Sequence, residues 1–325
     1  IGNLRLENIP KPVIQAGDVG YLVGAIRSAQ EVKIGDTLTH AAHPCEQAVK
    51  GFSEVKPMLF AGIYPVQSSE YNLLRTALEK LQLNDASLVW EHETSTALGL
   101  GFRCGFLGML HMEIIQERLS REFNMEVIAT APSVQFHIIE KNGQVHTVHS
   151  AAAMPPAAQI AKIEEPIMDV QIITSAQFIG PIIQLCMDKR GTLKDQQYAT
   201  EKRVEMQFKL PLAEIAFDFF DKLKTISKGY ASLDYSFSHF EASDMVRLDI
   251  LLNGDKVDAF STIIHRDKAY RWGKKLCEKL KELLPPHLFE IPVQAAIGGK
   301  ILARETTKAR RKRVTAKCYG GDITR

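Results

Sequence analysis

Apolar and polar residues alternate without a break from Arg203 to Leu210, with Val204, Met206, Phe208 and Leu210 on one side and Arg203, Glu205, Gln207 and Lys209 on the other. A period of two marks a strand with one buried face. From Leu212 the period changes: Leu212, Ile215, Phe219, Leu223 and Ile226 recur at helical spacing until Gly229, and Leu233, Tyr235 and Phe237 then return to alternation. Upstream, Val170–Thr174 reads as a strand and Ile179–Lys189 as a helix, with Pro181 in its first turn and Gly191 at its end. Residues 166–243 thus read as a mixed module of strands and helices.

The same order is clearer in residues 57–131. Met58–Tyr64 is a strand, and Ser69–Leu81 a helix through Tyr71, Leu74, Leu78 and Leu81. Asn84-Asp85 turns the chain into strands at Leu88–Glu91 and Leu98–Cys104. A helix over Leu107–Glu122 packs through Leu110, Ile114, Ile115 and Leu119, and Met125–Thr130 closes the module. The order is βαββαβ, the split βαβ plan. Between the modules, residues 132–165 read as a linker with a hairpin: Val134–Ile139 and Val145–Val148 flank Asn142-Gly143, and Ala151–Ala158 is broken by prolines.

Residues 1–56 show short strands, Val19–Ile26 and Ile34–Thr39, with the texture of an incomplete β-barrel. From residue 244 the pattern gives a strand at Val246–Leu252 and a helix from about Thr262 to Leu284, with Ala269, Trp272, Leu276, Leu280 and Leu283 on one stripe. Pro285-Pro286 stops that helix, and two strands around Gly298-Gly299 follow. The fold class expected is α+β multidomain: a partial β-barrel (1–56), two ferredoxin-like βαββαβ modules (57–131 and 166–243) and a basic α+β C-terminal domain (244–325).

Charge sharpens this division. The chain of 325 residues carries a net +2, yet residues 300–325 hold nine Lys or Arg against two acids, a local +7. Residues 244–325 carry 18 basic and 10 acidic side chains, leaving −6 upstream. A segment so charged repels itself and is best explained by a polyanion. Its rival is a solvated basic tail. Arg310, Arg311 and Arg313 suit bidentate phosphate contacts, and Tyr319 offers a stacking ring beside Gly320-Gly321. The expected RNA contacts are Lys308, Arg310, Arg311, Lys312, Arg313, Lys317, Tyr319 and Arg325, with Lys268, Arg271 and Lys275 as outer phosphate contacts. Structured RNA fits best; charge alone leaves duplex DNA and an anionic membrane surface open.

Catalytic chemistry is not evident. The five cysteines are widely spaced without C-x-x-C, which favours a reducing compartment. His40, His43 and Cys45 give three soft ligands where structural zinc takes four. Gly99-Leu-Gly101-Phe-Arg-Cys-Gly105 has the wrong spacing for a dinucleotide loop and is better read as close packing or a bulged strand. His111 and Glu113, two apart on a helix, do not converge on one metal. No phosphate loop, nucleophile elbow or H-E-x-x-H occurs.

Four stretches are recognisable. Leu107-Gly-Met-Leu-His111-Met-Glu113-Ile-Ile resembles the third-domain helix of the translocase EF-G, whose pattern is M-G-E-L-H-L-E-I, with Met109 in place of the acid. Gly101-Phe-Arg-Cys-Gly-Phe-Leu-Gly108, Leu81-Gln-Leu-Asn-Asp-Ala-Ser87 and Ala316-Lys-Cys-Tyr-Gly-Gly-Asp322 resemble the LepA family of translational GTPases, and the resemblance runs the length of the chain. It implies the end of a second barrel domain, a third domain, an equivalent of the fifth domain of EF-G, and the C-terminal domain peculiar to LepA. It also implies a parent enzyme that uses GTP and Mg2+ on the ribosome to promote back-translocation or fidelity. Its GTPase domain would precede Ile1, and its C-terminal domain would continue past Arg325. No catalytic residue, metal or cofactor is then expected in these 325 residues. The partners implied are rRNA, ribosomal proteins and A-site tRNA, for a cytoplasmic monomer that the family also places at the membrane's cytoplasmic face. The alternative is a free-standing module binding RNA or an anionic membrane.

Overall fold

The computed structural model describes residues 1–24, 32, 35–49, 57–200 and 202–310. The chain divides into two compact units, residues 1–55 with 83–86, and the remainder. The first carries three short antiparallel strands, β1 (Gly2–Leu4), β2 (Asn8–Pro10) and β3 (Gly20–Tyr21), in the order β2-β1-β3. This is an open sheet, and a barrel is not formed by the described residues. The strand expected at Val19–Ile26 is described only to Gly24, and the described part of Ile34–Thr39 is turn and coil.

The second unit holds three sheets. In the first, β4 (Leu59–Pro65), α1 (Tyr71–Asn84), β5 (Val89–Ser95), β6 (Gly99–Phe106), α2 (Met109–Phe123) and β7 (Val127–Ala129) follow the βαββαβ order, and the strands lie as β5-β6-β4-β7. A short β8 (Ser133–Val134) also pairs with β4. The helices cover one face through Leu74, Leu78 and Leu81 of α1 and Met112, Ile115 and Leu119 of α2. This corrects the register expected for α2. Leu110 is 70% exposed and Ile114 47% exposed, because the helix turns a second apolar stripe outward.

The second sheet is built from β9 (Phe136–Glu140), β10 (Val145–Val148), β11 (Ile160–Ser175), β12 (Thr192–Thr200), β13 (Arg203–Pro211) and β14 (Ser232–Ser243), in the order β10-β9-β11-β13-β12 with β14 on the other side of β11. Strand β11 is much longer than its apolar core Val170–Thr174 suggests. Its first part pairs with β9 and its second with β13. The hairpin at 136–148, read from sequence as part of a connection, is therefore part of this sheet. Three helices cover one face: α3 (Ile179–Asp188), α4 (Leu212–Ile215) and α5 (Phe219–Ile226). The last two replace the single helix expected from Leu212, and both keep its apolar side chains buried at Leu212, Ile215, Phe219 and Leu223.

The third sheet has the order β16-β15-β17-β18, from β15 (Met245–Leu252), β16 (Asp255–His265), β17 (Ile291–Ile297) and β18 (Lys300–Thr307). One helix, α6 (Arg266–Leu283), lies across it. Ala269, Gly273, Cys277 and Leu280 are its buried residues, and they meet a core of Leu248, Ile250, Val293 and Ala295. Gly273 allows the close approach, since a Cβ there would stand 2.8 Å from Cβ of Ala295. Among the described residues no helix is long and apolar enough to cross a membrane.

Candidate nucleic-acid interface

Helix α6 begins where the side chain of His265 accepts a hydrogen bond from the Asp267 amide, and it cannot run past Pro285-Pro286. Burying Ala269, Gly273, Cys277 and Leu280 turns Arg271 and Lys275 outward. Both are exposed, and among the described residues no carboxylate ion pair involves either. Lys268 differs. Its ammonium lies 2.7 Å from Glu214 Oε1 of α4 and donates to the Asp188 carbonyl at 3.2 Å, so it fastens α6 to the neighbouring module. Of the three outer contacts expected from sequence, Arg271 and Lys275 remain open to an external phosphate. On the same helix Lys274 pairs with Glu278 and Lys279 with Glu282, so the uncompensated charge sits near the helix's middle.

Lys308 and Arg310 emerge at the end of β18, and both are exposed. The Arg310 amide donates to the His287 carbonyl at 2.6 Å, laying residues 308–310 against the loop that follows α6. Arg271 stands 12 residues before the end of α6, roughly 18 Å along the axis at 1.5 Å per residue. The described cations therefore form two groups, one near the middle of α6 and one beyond its C-terminal end. Arg311, Lys312, Arg313, Lys317, Tyr319 and Arg325 lie outside the described residues.

A charged network that the sequence reading did not single out fixes α6. Arg190, in a left-handed conformation (φ 61°) just after α3, donates to both oxygens of Glu165 at 2.6 and 2.8 Å, to Glu214 at 3.1 Å and to Ser243 at 3.3 Å. Burial works against the guanidinium's charge, but the two carboxylates overcome it and raise its pKa above the ordinary value. Lys189 bonds Asp218 at 2.5 Å and Lys222 closes on the same carboxylate. Partial burial pulls Asp218 upward, yet these two ammonium groups bring it down to about 2. Arg266 of α6 bonds Asp244 at 2.7 Å. The sequence signal was the pair Lys189-Arg190 ahead of Gly191, a helix end that sequence alone leaves as a solvated surface.

The remaining chemistry resolves into structure. The ring of Tyr64 lies over Gly62 and Gly101, and a Cβ on Gly101 would collide with it and stand 2.7 Å from the Ile63 carbonyl. Close packing is thus the reason for the glycine-rich strand. His111 Nδ1 accepts from the Leu107 amide at 3.0 Å, at the start of α2. His40 and His43 stack with centroids 5.7 Å apart, and among the described residues no group of three or more His, Cys, Asp or Glu converges as a metal site. Asp258 of β16 accepts from Ser95 Oγ at 3.1 Å and from the Thr96 amide at 2.9 Å, joining the third sheet to the β5–β6 turn beside a polar cavity of about 40 Å³.

Family models match in succession. Elongation factor G domain III matches residues 55–131, the elongation factor G C-terminus residues 162–251, and the C-terminus of the GTP-binding protein LepA residues 252–325. Proteins named elongation factor 4 from Amoebophilus asiaticus, Cytophaga hutchinsonii and Phocaeicola vulgatus are 66%, 63% and 58% identical to the chain over all of its length. The chain spans 54–55% of the length of these relatives.

Proposed function

The chain belongs to the elongation factor 4 family along its whole length, and from that premise we propose that it is the ribosome- and tRNA-facing portion of a translational GTPase. In this reading the parent protein hydrolyses GTP with Mg2+ on the ribosome in the cytoplasm and promotes back-translocation or fidelity of protein synthesis. These 325 residues supply binding and positioning, and GTP hydrolysis belongs to the parent. The observation that carries the reading is the match of all 325 residues of the chain to part of elongation factor 4, combined with a charge distribution of −6 before residue 244 and +8 from there on. Phosphate-rich RNA is the partner such a segment neutralises.

The network around Arg190 and Glu214 supports the same reading. It holds α6 against the second sheet with Arg271 and Lys275 facing solvent, a rigid support of the kind phosphate contacts use to fix orientation. Co-sedimentation with ribosomes tests the proposal. Replacing Arg311, Lys312 and Arg313 with Gln should weaken binding and lower the log–log salt slope by about 2 to 3, at roughly 0.7–0.9 per phosphate neutralised. Truncation is better placed after Arg310 than at Lys300, because Lys300–Thr307 is a strand of the third sheet. A chain that sediments equally with and without residues 311–325, at every salt concentration, would refute the role given to the basic end.

A further inference from the structure

The loop from Leu284 to Glu290 projects an apolar surface that α6 and the third sheet do not bury. Leu288 is 76% exposed and Phe289 59% exposed. Pro285 and Pro286 fix two backbone torsions ahead of them, so the loop holds these side chains out without the usual conformational freedom. The rings of His287 and Phe289 lie nearly parallel, with centroids 5.9 Å apart at 25°. The strand exit runs alongside: the Arg310 amide is bonded to the His287 carbonyl, and Lys308 and Arg310 are exposed. Glu290 is the acid that follows the ring pair.

Resting on the proposed function, we infer that Phe289 and His287 form a stacking platform for an unpaired base of the RNA partner, with Lys308 and Arg310 neutralising the adjoining phosphates. Three observations converge on that ligand. An aromatic ring with an open face beside cations is the arrangement that holds single-stranded nucleic acid, since every base has a π-face and every nucleotide a phosphate. A paired base hides its faces within the helical stack, which selects an unpaired one. The net charge of +8 over residues 244–325 favours RNA over an apolar protein surface.

Fluorescence anisotropy with the full chain, using single-stranded oligouridine and a blunt RNA duplex of equal length, tests the inference. Phe289→Ala should weaken oligouridine binding by roughly 5- to 150-fold, the range that loss of one stacked base gives. Duplex affinity and the salt slope should stay unchanged, because no charge is removed. Phe289→Trp should restore binding, and Leu288→Ala should leave it intact. Equal losses on both probes, no loss on oligouridine, or failure of Trp to rescue would each overturn the platform. So would loss of sedimentation with phosphatidylserine vesicles in Phe289→Ala while RNA binding is untouched, which would assign the loop to a lipid surface. A chain that binds neither RNA probe refutes the proposed function as well. Binding of both probes with indifference to residue 289 refutes this inference alone.

Discussion

Replacing Arg190 should loosen the attachment of α6 more than any change on its exposed face. The guanidinium satisfies Glu165, which is 2% exposed, through two bonds at 2.6 and 2.8 Å, and it reaches Glu214 through a third at 3.1 Å. Arg190→Ala leaves the Glu165 carboxylate buried without its counter-charge, a change that costs about 3–5 kcal/mol when the site is dry. The Arg190 side chain is 20% exposed, so water can enter the space it vacates, and about 3 kcal/mol is the expected loss. The backbone adds a separable effect. At φ 61° a non-glycine residue is strained, and Arg190→Gly should recover roughly 1 kcal/mol relative to Arg190→Ala. Urea unfolding followed by circular dichroism gives the two stabilities. Hydrogen exchange over residues 212–218 and 266–270 should rise in both variants, since Glu214 is the acid shared by Arg190 and Lys268. A loss under about 1 kcal/mol for Ala, or a Gly variant no more stable than Ala, would refute the reasoning.

The remaining predictions follow from the same geometry. Lys268→Ala should leave the salt dependence of RNA binding unchanged, whereas Arg271→Gln with Lys275→Gln should lower the slope by about 1.4–1.8; the opposite order would mean that the Glu214 ion pair does not occupy Lys268. Gly101→Ala forces a methyl group into the Tyr64 ring and should cost roughly 1–3 kcal/mol by thermal melting. Asp218 titrates at about 2 in the folded chain, against an ordinary 3.8. Its contribution is therefore complete above the unfolded value and disappears as pH falls from about 4 towards 2, so Asp218→Asn should flatten that part of the acid stability profile. Asp258→Ala removes the acceptor for Ser95 Oγ and the Thr96 amide, and hydrogen exchange at Thr96 should accelerate while exchange within α6 stays constant.

The sequence was legible wherever one face alone decides an element. Strand β13 alternates because α3, α4 and α5 cover one side of its sheet, and that alternation is written in Val204, Met206, Phe208 and Leu210. Strand β12 was not legible. Thr192–Thr200 has little apolar alternation, being an edge strand held by its backbone pairing with β13. Strand β16 was missed for a related reason: Asp258 and Ser261 make polar contacts to other elements where alternation would demand buried apolar residues. In α2 two apolar stripes compete, Leu110 and Ile114 against Met112, Ile115 and Leu119, and periodicity gives no reason to prefer the second.

The candidate interface shows why a count of cations overstates a binding surface. Helix α6 holds seven Lys or Arg against three acids, which on sequence is one basic stripe. In the fold, Arg266 is held by Asp244 just ahead of β15, Lys268 by Glu214 of α4 and Lys281 by Glu305 of β18. Those pairs cannot be read locally: Glu214 reaches Lys268 only when the second and third sheets pack, and Asp244 and Glu305 reach Arg266 and Lys281 only when α6 lies on the third sheet. Their effect is to convert part of the stripe into an attachment and to leave Arg271 and Lys275 as its outward charge. A phosphate backbone meeting α6 would meet a short cationic step on a fixed support. Phosphate contacts carry no base information, and stacking on the exposed Phe289 ring would accept any base, so this surface would discriminate unpaired from paired nucleotides rather than one sequence from another.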